Sequence, residues 1–209
     1  SDVCSSDLMP ESLLLRLREA YPKVRFLQTF GTSETGITQT SSRSSDSLEM
    51  RLDDPNTEYR VVDGELWLRS RTQILGYLNA SEESFTEDGW FMTGDLVEEI
   101  DDGYIRIIGR NKEIINVGGE KVLPAEVESV ILSMPEVLDV VVRGESNQIT
   151  GQSVIADVVW HGSSSARQVR NAVRSYCRQY LSAYKIPTRI NLQPTLDIGR
   201  RFKKKRITS

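Results

Sequence analysis

Two acidic turns constrain the middle of this sequence more than any other feature. Asp63-Gly64 separates the alternating run Tyr59 to Val62 from Leu66 to Leu68, and Asp101-Asp102-Gly103 separates Leu96 to Ile100 from Tyr104 to Ile108. Tight hairpin turns need positive φ at one or two positions, which Gly adopts freely and Asp tolerates. The spacing therefore predicts two β-hairpins and a small β-rich subdomain in the middle third of the chain.

The flanks read differently. Leu13, Leu14 and Leu17 fall at helical spacing between Pro10 and Pro22, which predicts a short helix leading to an apolar strand from Val24 to Phe30. At Gly109 to Glu113 the composition turns to mixed charge, and a domain boundary is expected there, dividing the chain into residues 1–110 and 111–209. Beyond it the pattern predicts a helix from about Pro124 to Ser133 and strands at Val137 to Arg143 and Ser153 to Trp160. A long helix follows from about Ser165 to Leu181, with Ser163 to Ser165 as N-cap residues, while Pro124 suits the first turn of its own helix. The expected class is α+β, with the second part a compact domain of roughly 100 residues.

Composition removes several functions. Lys and Arg number 26 against 30 Asp and Glu, a formal net charge of −4, which argues against a general nucleic-acid binder. Cys4 and Cys177 lie far apart without a metal-ligand spacing, so no disulfide framework or zinc site is expected, and a reducing cytoplasmic setting is the default. Apolar runs such as Val137 to Val142 fall far short of the roughly 20 residues a transmembrane helix needs. His161 is the lone histidine, placed after Trp160 with no nucleophile motif, so an exposed loop position is expected and triad hydrolysis is not. The start, SDVCSSDL, has no secretory signature and leads directly into helix and strand, as if the chain began in the middle of a fold.

Four segments carry chemistry. Phe30-Gly31-Thr32-Ser33-Glu34-Thr35-Gly36 is a glycine-flanked, hydroxyl-rich turn with one carboxylate. Turns use these residues routinely, but the set also offers an aromatic face for a base, hydroxyl and N–H groups for phosphate oxygens, and a carboxylate for a hard cation. Thr93-Gly94-Asp95 follows Trp90-Phe91-Met92 and reads as a Gly-Asp turn at the mouth of a strand. The third segment, GRNKEIINVGGEKVLPAEVE from Gly109 to Glu128, holds Arg110, Lys112 and the adjacent Gly118 and Gly119, which permit positive φ and close backbone approach. The carboxylates of Glu126 and Glu128 suit the start of a helix, where they complement its dipole. The fourth is the basic run Gly199 to Arg206, whose plain reading is a solvated tail.

Together, from about Val24 to Arg206, these segments resemble the adenylate-forming superfamily, which includes acyl-CoA synthetases, peptide-synthetase adenylation domains and luciferases. The match over Gly109 to Glu128 is the most specific; Gly64-Glu65-Leu66 and Gly76-Tyr77 match a further element of the superfamily, read as scaffold. Ser33 stands where Thr is commoner, and Phe30 where Tyr is commoner. The resemblance implies the tail of a large adenylate-forming N-terminal domain, then a complete small mobile C-terminal domain.

By that resemblance Phe30, Gly31, Ser33, Glu34, Asp95 and Arg110 contact ATP or AMP, with Glu34 also serving Mg²⁺ and Asp95 the ribose hydroxyls. Lys112 becomes the hinge, and Gly118 and Gly119 line the path of the pantetheine arm of coenzyme A. The catalytic lysine of the superfamily falls on Lys203 by its local Lys-x-x-Arg pattern, or on Arg200 by spacing from Pro194. Lys203 is favoured because an ammonium is compact enough to sit between two anions.

The implied activity is ATP-dependent ligation of a small carboxylic acid to coenzyme A with release of AMP. Loading of an acyl carrier protein is the alternative acceptor, and a non-catalytic nucleotide-binding module is the alternative class, because the superfamily's phosphate loop is not among these residues. The isolated 209 residues are accordingly expected to be inactive.

Overall fold

The computed structural model describes residues 8–76 and 84–195, which fall into two compact units. One runs from Leu17 to Asn111; the other starts at Lys112, and residues 8–16 group with it. Helix α1 (Glu11–Ala20) occupies the interval between the two prolines, as the leucine spacing predicts.

The first unit is all β after α1. A two-stranded hairpin, β1 (Phe30–Thr32) with β2 (Gly36–Thr38), carries the Ser33-Glu34-Thr35 turn at its tip. A six-stranded antiparallel sheet follows, built from β3 (Thr40–Ser42), β4 (Met50–Leu52), β5 (Thr57–Val62), β6 (Glu65–Ser70), β7 (Phe91–Glu99) and β8 (Ile105–Arg110) in the order β3-β4-β8-β7-β6-β5. Asp63 and Gly64 both have positive φ, 51° and 80°, which gives the β5–β6 turn the twist that matches its strands. The Asp102-Gly103 turn between β7 and β8 does the same. Phe30, Met50, Leu52, Leu66, Leu68, Val97 and Ile105 form the apolar core.

The strand expected from Val24 to Phe30 does not form: only Phe30 at its end is paired. Its apolar residues mislead because Val24 and Leu27 are exposed. Its backbone is held by hydroxyls in place of a ladder, with Phe26 N–H donating to Ser45 Oγ at 2.8 Å and Gln28 N–H to Ser42 Oγ at 2.6 Å.

The second unit is a five-stranded sheet with two helices. β9 (Ile115–Val117) and β10 (Glu120–Val122) form a short hairpin, followed by α2 (Pro124–Leu132), β11 (Val137–Asn147), β12 (Gly151–Trp160), α3 (Ala166–Tyr180) and β13 (Arg189–Leu192). β12 is central, antiparallel to β11 and β9 and parallel to β13. The parallel pairing requires a crossover, and α3 provides it. Pro124 occupies the first turn of α2. Ser165 caps α3 in a reciprocal arrangement: its backbone N–H donates to Gln168 Oε1 at 2.9 Å, and Gln168 N–H returns to Ser165 Oγ. Val127 and Ile131 of α2, Val169, Val173 and Cys177 of α3, and the inward valines of β11 and β12 share one core.

Glu128, expected to complement the helix dipole, makes a long-range contact that the sequence does not show. It is 4% exposed, and its Oε1 accepts the Val142 N–H of β11 at 2.8 Å, tying α2 to the sheet. Glu126 instead pairs with Lys185 at 2.6 Å on the surface. Among the described residues no helix is long and apolar enough to cross a membrane. His161 is exposed after β12, where the sequence puts it.

Candidate functional site

The Thr93-Gly94-Asp95 segment lies inside β7 as a bulge, where a turn before the strand is expected from the sequence. Trp67 of β6 faces Met92 and Glu65 faces Leu96, so two steps along β6 are matched by four along β7. The extra residues cannot all join the ladder, and side chains take over their backbone groups. Thr93 Oγ1 donates to Leu66 O at 2.6 Å and accepts the Asp95 N–H at 3.0 Å. Gly94, at φ +74°, donates its N–H to Glu65 Oε1 at 2.9 Å.

This bulge delivers Asp95 opposite Arg110 in the β7–β8 register. Arg110 Nε donates to Asp95 Oδ1 at 2.9 Å, with side-chain exposures of 23% and 9%. The pair is therefore largely shielded and charge-assisted, a geometry stronger than an ordinary surface ion pair. Next in sequence, Asn111 donates from Nδ2 to Glu65 Oε2 at 3.4 Å. Glu65, read from the sequence as scaffold, thus touches the neighbours of both members of the pair. The Gly64-Glu65-Leu66 match is the only sequence signal for it.

The Ser33-Glu34-Thr35 turn belongs to the same unit. Its Glu34 is 7% exposed while Ser33 is exposed. Thr35 N–H donates to Thr32 Oγ1 at 3.0 Å, and the carbonyls of Glu34 and Thr35 accept from Ile74 N–H at 2.8 Å and Thr72 Oγ1 at 3.4 Å. The turn is thereby fastened to the segment that follows β6. Phe30, expected to offer its ring to a base, is instead buried in the core, and Gly31 is tightly enclosed: a Cβ there would lie 3.1 Å from Ile37 Cα and 3.2 Å from Gly36 O.

In the second unit Gly118 and Gly119 form the β9–β10 turn with φ of 61° and 92° and are exposed. An added Cβ at either would meet nothing within 4 Å, so the glycines answer to backbone conformation and leave the space over the turn open. Gly118 N–H donates to Thr150 O at 2.8 Å, anchoring the turn to the β11–β12 connection. Lys112 is exposed in the 3₁₀ turn between β8 and β9, where the first unit ends and the second begins. Lys203 and Arg200 lie outside the described residues, as does Tyr77.

A divalent cation would have few protein ligands here, since no group of three or more His, Cys, Asp or Glu side chains gathers among the described residues. That is compatible with Mg²⁺, which commonly keeps water and substrate phosphates and takes one or two carboxylates. Glu34 is the carboxylate of the hydroxyl-rich turn that could serve.

Known proteins resemble this chain over most of its length. The profile of the family described as AMP-binding enzyme C-terminal domain matches residues 126–203. A 4-coumarate–CoA ligase-like protein of Oryza sativa subsp. japonica is 34% identical over 197 residues, covering 84% of this chain and 36% of the relative. A long-chain-fatty-acid–CoA ligase of Yersinia pestis is 33% identical over 154 residues, covering 73% of this chain and 27% of the relative. The solved structure of o-succinylbenzoate CoA synthetase from Bacillus subtilis, in complex with its acyl-adenylate intermediate, superposes with a TM-score of 0.79 at 29% identity, covering 96% of this chain and 44% of that one. The chain spans about a third of the length of the curated relatives it matches. With α+β architecture, motifs and relatives in agreement, the chain belongs to the adenylate-forming, AMP-binding enzyme superfamily.

Proposed function

We propose that this chain acts within an ATP-dependent carboxylic acid–CoA ligase, contributing nucleotide contacts from its first unit and the thiol-facing turn from its second. The observation that carries the reading is the shielded Asp95–Arg110 pair, aimed by a bulge that side chains hold open. A carboxylate has two acceptor oxygens in one plane and suits the vicinal hydroxyls of a ribose, and the adjacent guanidinium suits phosphate. Relatives named as CoA ligases support this choice of acceptor over a carrier protein.

In the reaction a substrate carboxylate oxygen attacks the α-phosphorus of ATP, the bond to the β-phosphate oxygen breaks, and pyrophosphate leaves. The thiol of coenzyme A, losing its proton, then attacks the acyl carbon, the bond to the AMP oxygen breaks, and AMP leaves. Asp95 and Arg110 hold the nucleotide through both steps, and Phe30 and Gly31 seat the hairpin whose turn presents Ser33 N–H and hydroxyl to phosphate. Glu34 would hold Mg²⁺, which neutralises phosphate charge when bound. Lys203 bridges the carboxylate and the α-phosphate, Lys112 serves as the pivot, and Gly118 and Gly119 let the pantetheine arm pass close to backbone.

The test is acid-dependent ATP–pyrophosphate exchange by the full-length protein that carries this sequence, followed by mass analysis of coenzyme A and of a carrier domain supplied together. Exchange with AMP release and acylated coenzyme A is expected. Formation of ADP, or exchange in no member of a panel of aliphatic and aromatic acids, would rule the reading out.

A further inference from the structure

We infer that Glu65 is a positioning residue that sets the geometry of the Asp95–Arg110 pair, and this rests on the nucleotide reading of that pair given above. One carboxylate bonds to both flanks of the pair. Glu65 Oε1 accepts from Gly94, immediately before Asp95, and Oε2 accepts from Asn111, immediately after Arg110. The two residues come from different segments, Gly94 from β7 and Asn111 from the turn directly after β8, so Glu65 ties the separation of the segments as well as each one.

The need for such a brace follows from the bulge. Gly94 is the least restrained residue type, sits at φ +74°, and donates its N–H to a side chain. Thr93 fixes the upstream half, through Leu66 O and the Asp95 N–H. Leu66, fully buried beside Glu65, anchors the brace in the core. A carboxylate is the right group because both its partners are donors and it has only acceptors to offer. Gln would keep one acceptor and turn a donor toward the other partner.

The experiment pairs two measurements. By NMR of the 209-residue chain, Gly94 amide exchange and the Arg110 Nε–H resonance report the bulge and the ion pair directly. In the full-length protein, steady-state kinetics separate KM for ATP from kcat. Glu65→Ala is expected to speed Gly94 exchange and raise KM for ATP, each about tenfold, the scale of one hydrogen bond to a charged group. It should also remove protection of the Arg110 Nε–H, with kcat within about threefold because the group acts on ground-state and transition-state binding alike. Glu65→Gln should keep the Gly94 bond and lose the Asn111 one, so Gly94 exchange stays near that of the parent while Arg110 Nε–H protection falls and KM for ATP rises less than in Glu65→Ala, which keeps the test sound if the Ala variant folds poorly.

Faster Gly94 exchange with an unchanged Arg110 Nε–H would overturn the inference, since Glu65 would then hold the bulge alone. So would disturbed NMR signals and unchanged KM while Asp95→Ala raises KM. If Asp95→Ala also leaves KM unchanged, the nucleotide reading has failed, and the NMR comparison alone decides whether Glu65 sets the pair.

Discussion

Arg110 Nε donates to Asp95 Oδ1 at 2.9 Å across the β7–β8 ladder, and the two residues are register partners as well as an ion pair. Backbone pairing thus fixes how far apart the charges begin, and the bulge fixes where the carboxylate points.

Replacing Asp95 with Asn keeps the volume and removes the charge. With Arg110 mostly covered, stability should fall by about 1 to 2 kcal/mol, below the range for fully buried pairs because some solvent reaches the guanidinium. In the full-length protein KM for ATP should rise about tenfold or more. Urea unfolding and steady-state kinetics check the two effects separately, and an unchanged KM would remove Asp95 from the nucleotide contacts.

Gly94→Ala tests backbone conformation in isolation. A Cβ there meets nothing within 4 Å, so the cost, about 1 kcal/mol, comes only from placing an L-residue at φ +74°. The expected result is lower stability in urea melts. A neutral variant would show that the bulge relaxes to another conformation.

Glu128→Ala should destabilise the second unit by about 2 to 3 kcal/mol, because it strips the Val142 N–H of its acceptor inside the core and leaves a void. Glu128→Gln retains a carbonyl acceptor and should lose less than half as much. If both variants unfold alike in denaturant, the charge itself matters beyond the hydrogen bond.

Cys177 is fully buried, and burial pushes its thiol from 9.0 up to about 11. Between these values the unfolded chain binds fewer protons than the folded one. The contribution is therefore fully present below about pH 9 and lost as pH rises through about 11. Cys177→Ala should flatten that part of the stability profile. With Cys4 replaced by Ser, a thiol reagent at pH 8 should label Cys177 only as fast as the unit opens, and rapid labelling of folded protein would contradict the burial.

Lys203→Ala in the full-length protein should slow adenylation by up to about three decades, taking roughly 4 kcal/mol for an ammonium near 4 Å from an anion at an effective dielectric of about 20. Arg200→Ala should have a much smaller effect. The opposite ranking in pyrophosphate exchange would transfer the role to Arg200.

Much of the local structure was legible in the residues. The Asp63-Gly64 and Asp102-Gly103 turns, the Pro-bounded α1, Pro124 at the start of α2 and the Ser165 cap of α3 all depend on interactions within a few positions. Longer-range pairing was not legible in the same way. β13 alternates Arg189-Ile190-Asn191-Leu192 over only four residues, too short a run to mark a strand, and it pairs because α3 returns the chain beside β12. Val24 to Thr29 reads as a strand by composition yet finds no ladder partner among the described residues.

The sequence by itself determined the superfamily and singled out Asp95, Arg110, Gly118 and Gly119 as candidates, because each lies in a contiguous motif. Only the tertiary structure decided that Thr93-Gly94-Asp95 is a bulge within β7, that Glu128 is a buried strut to Val142, and that Glu65 braces both sides of the ion pair. The physical reason is separation along the chain. Glu65 meets Gly94 and Asn111 from 29 and 46 positions away, and such contacts exist only once the strands have paired.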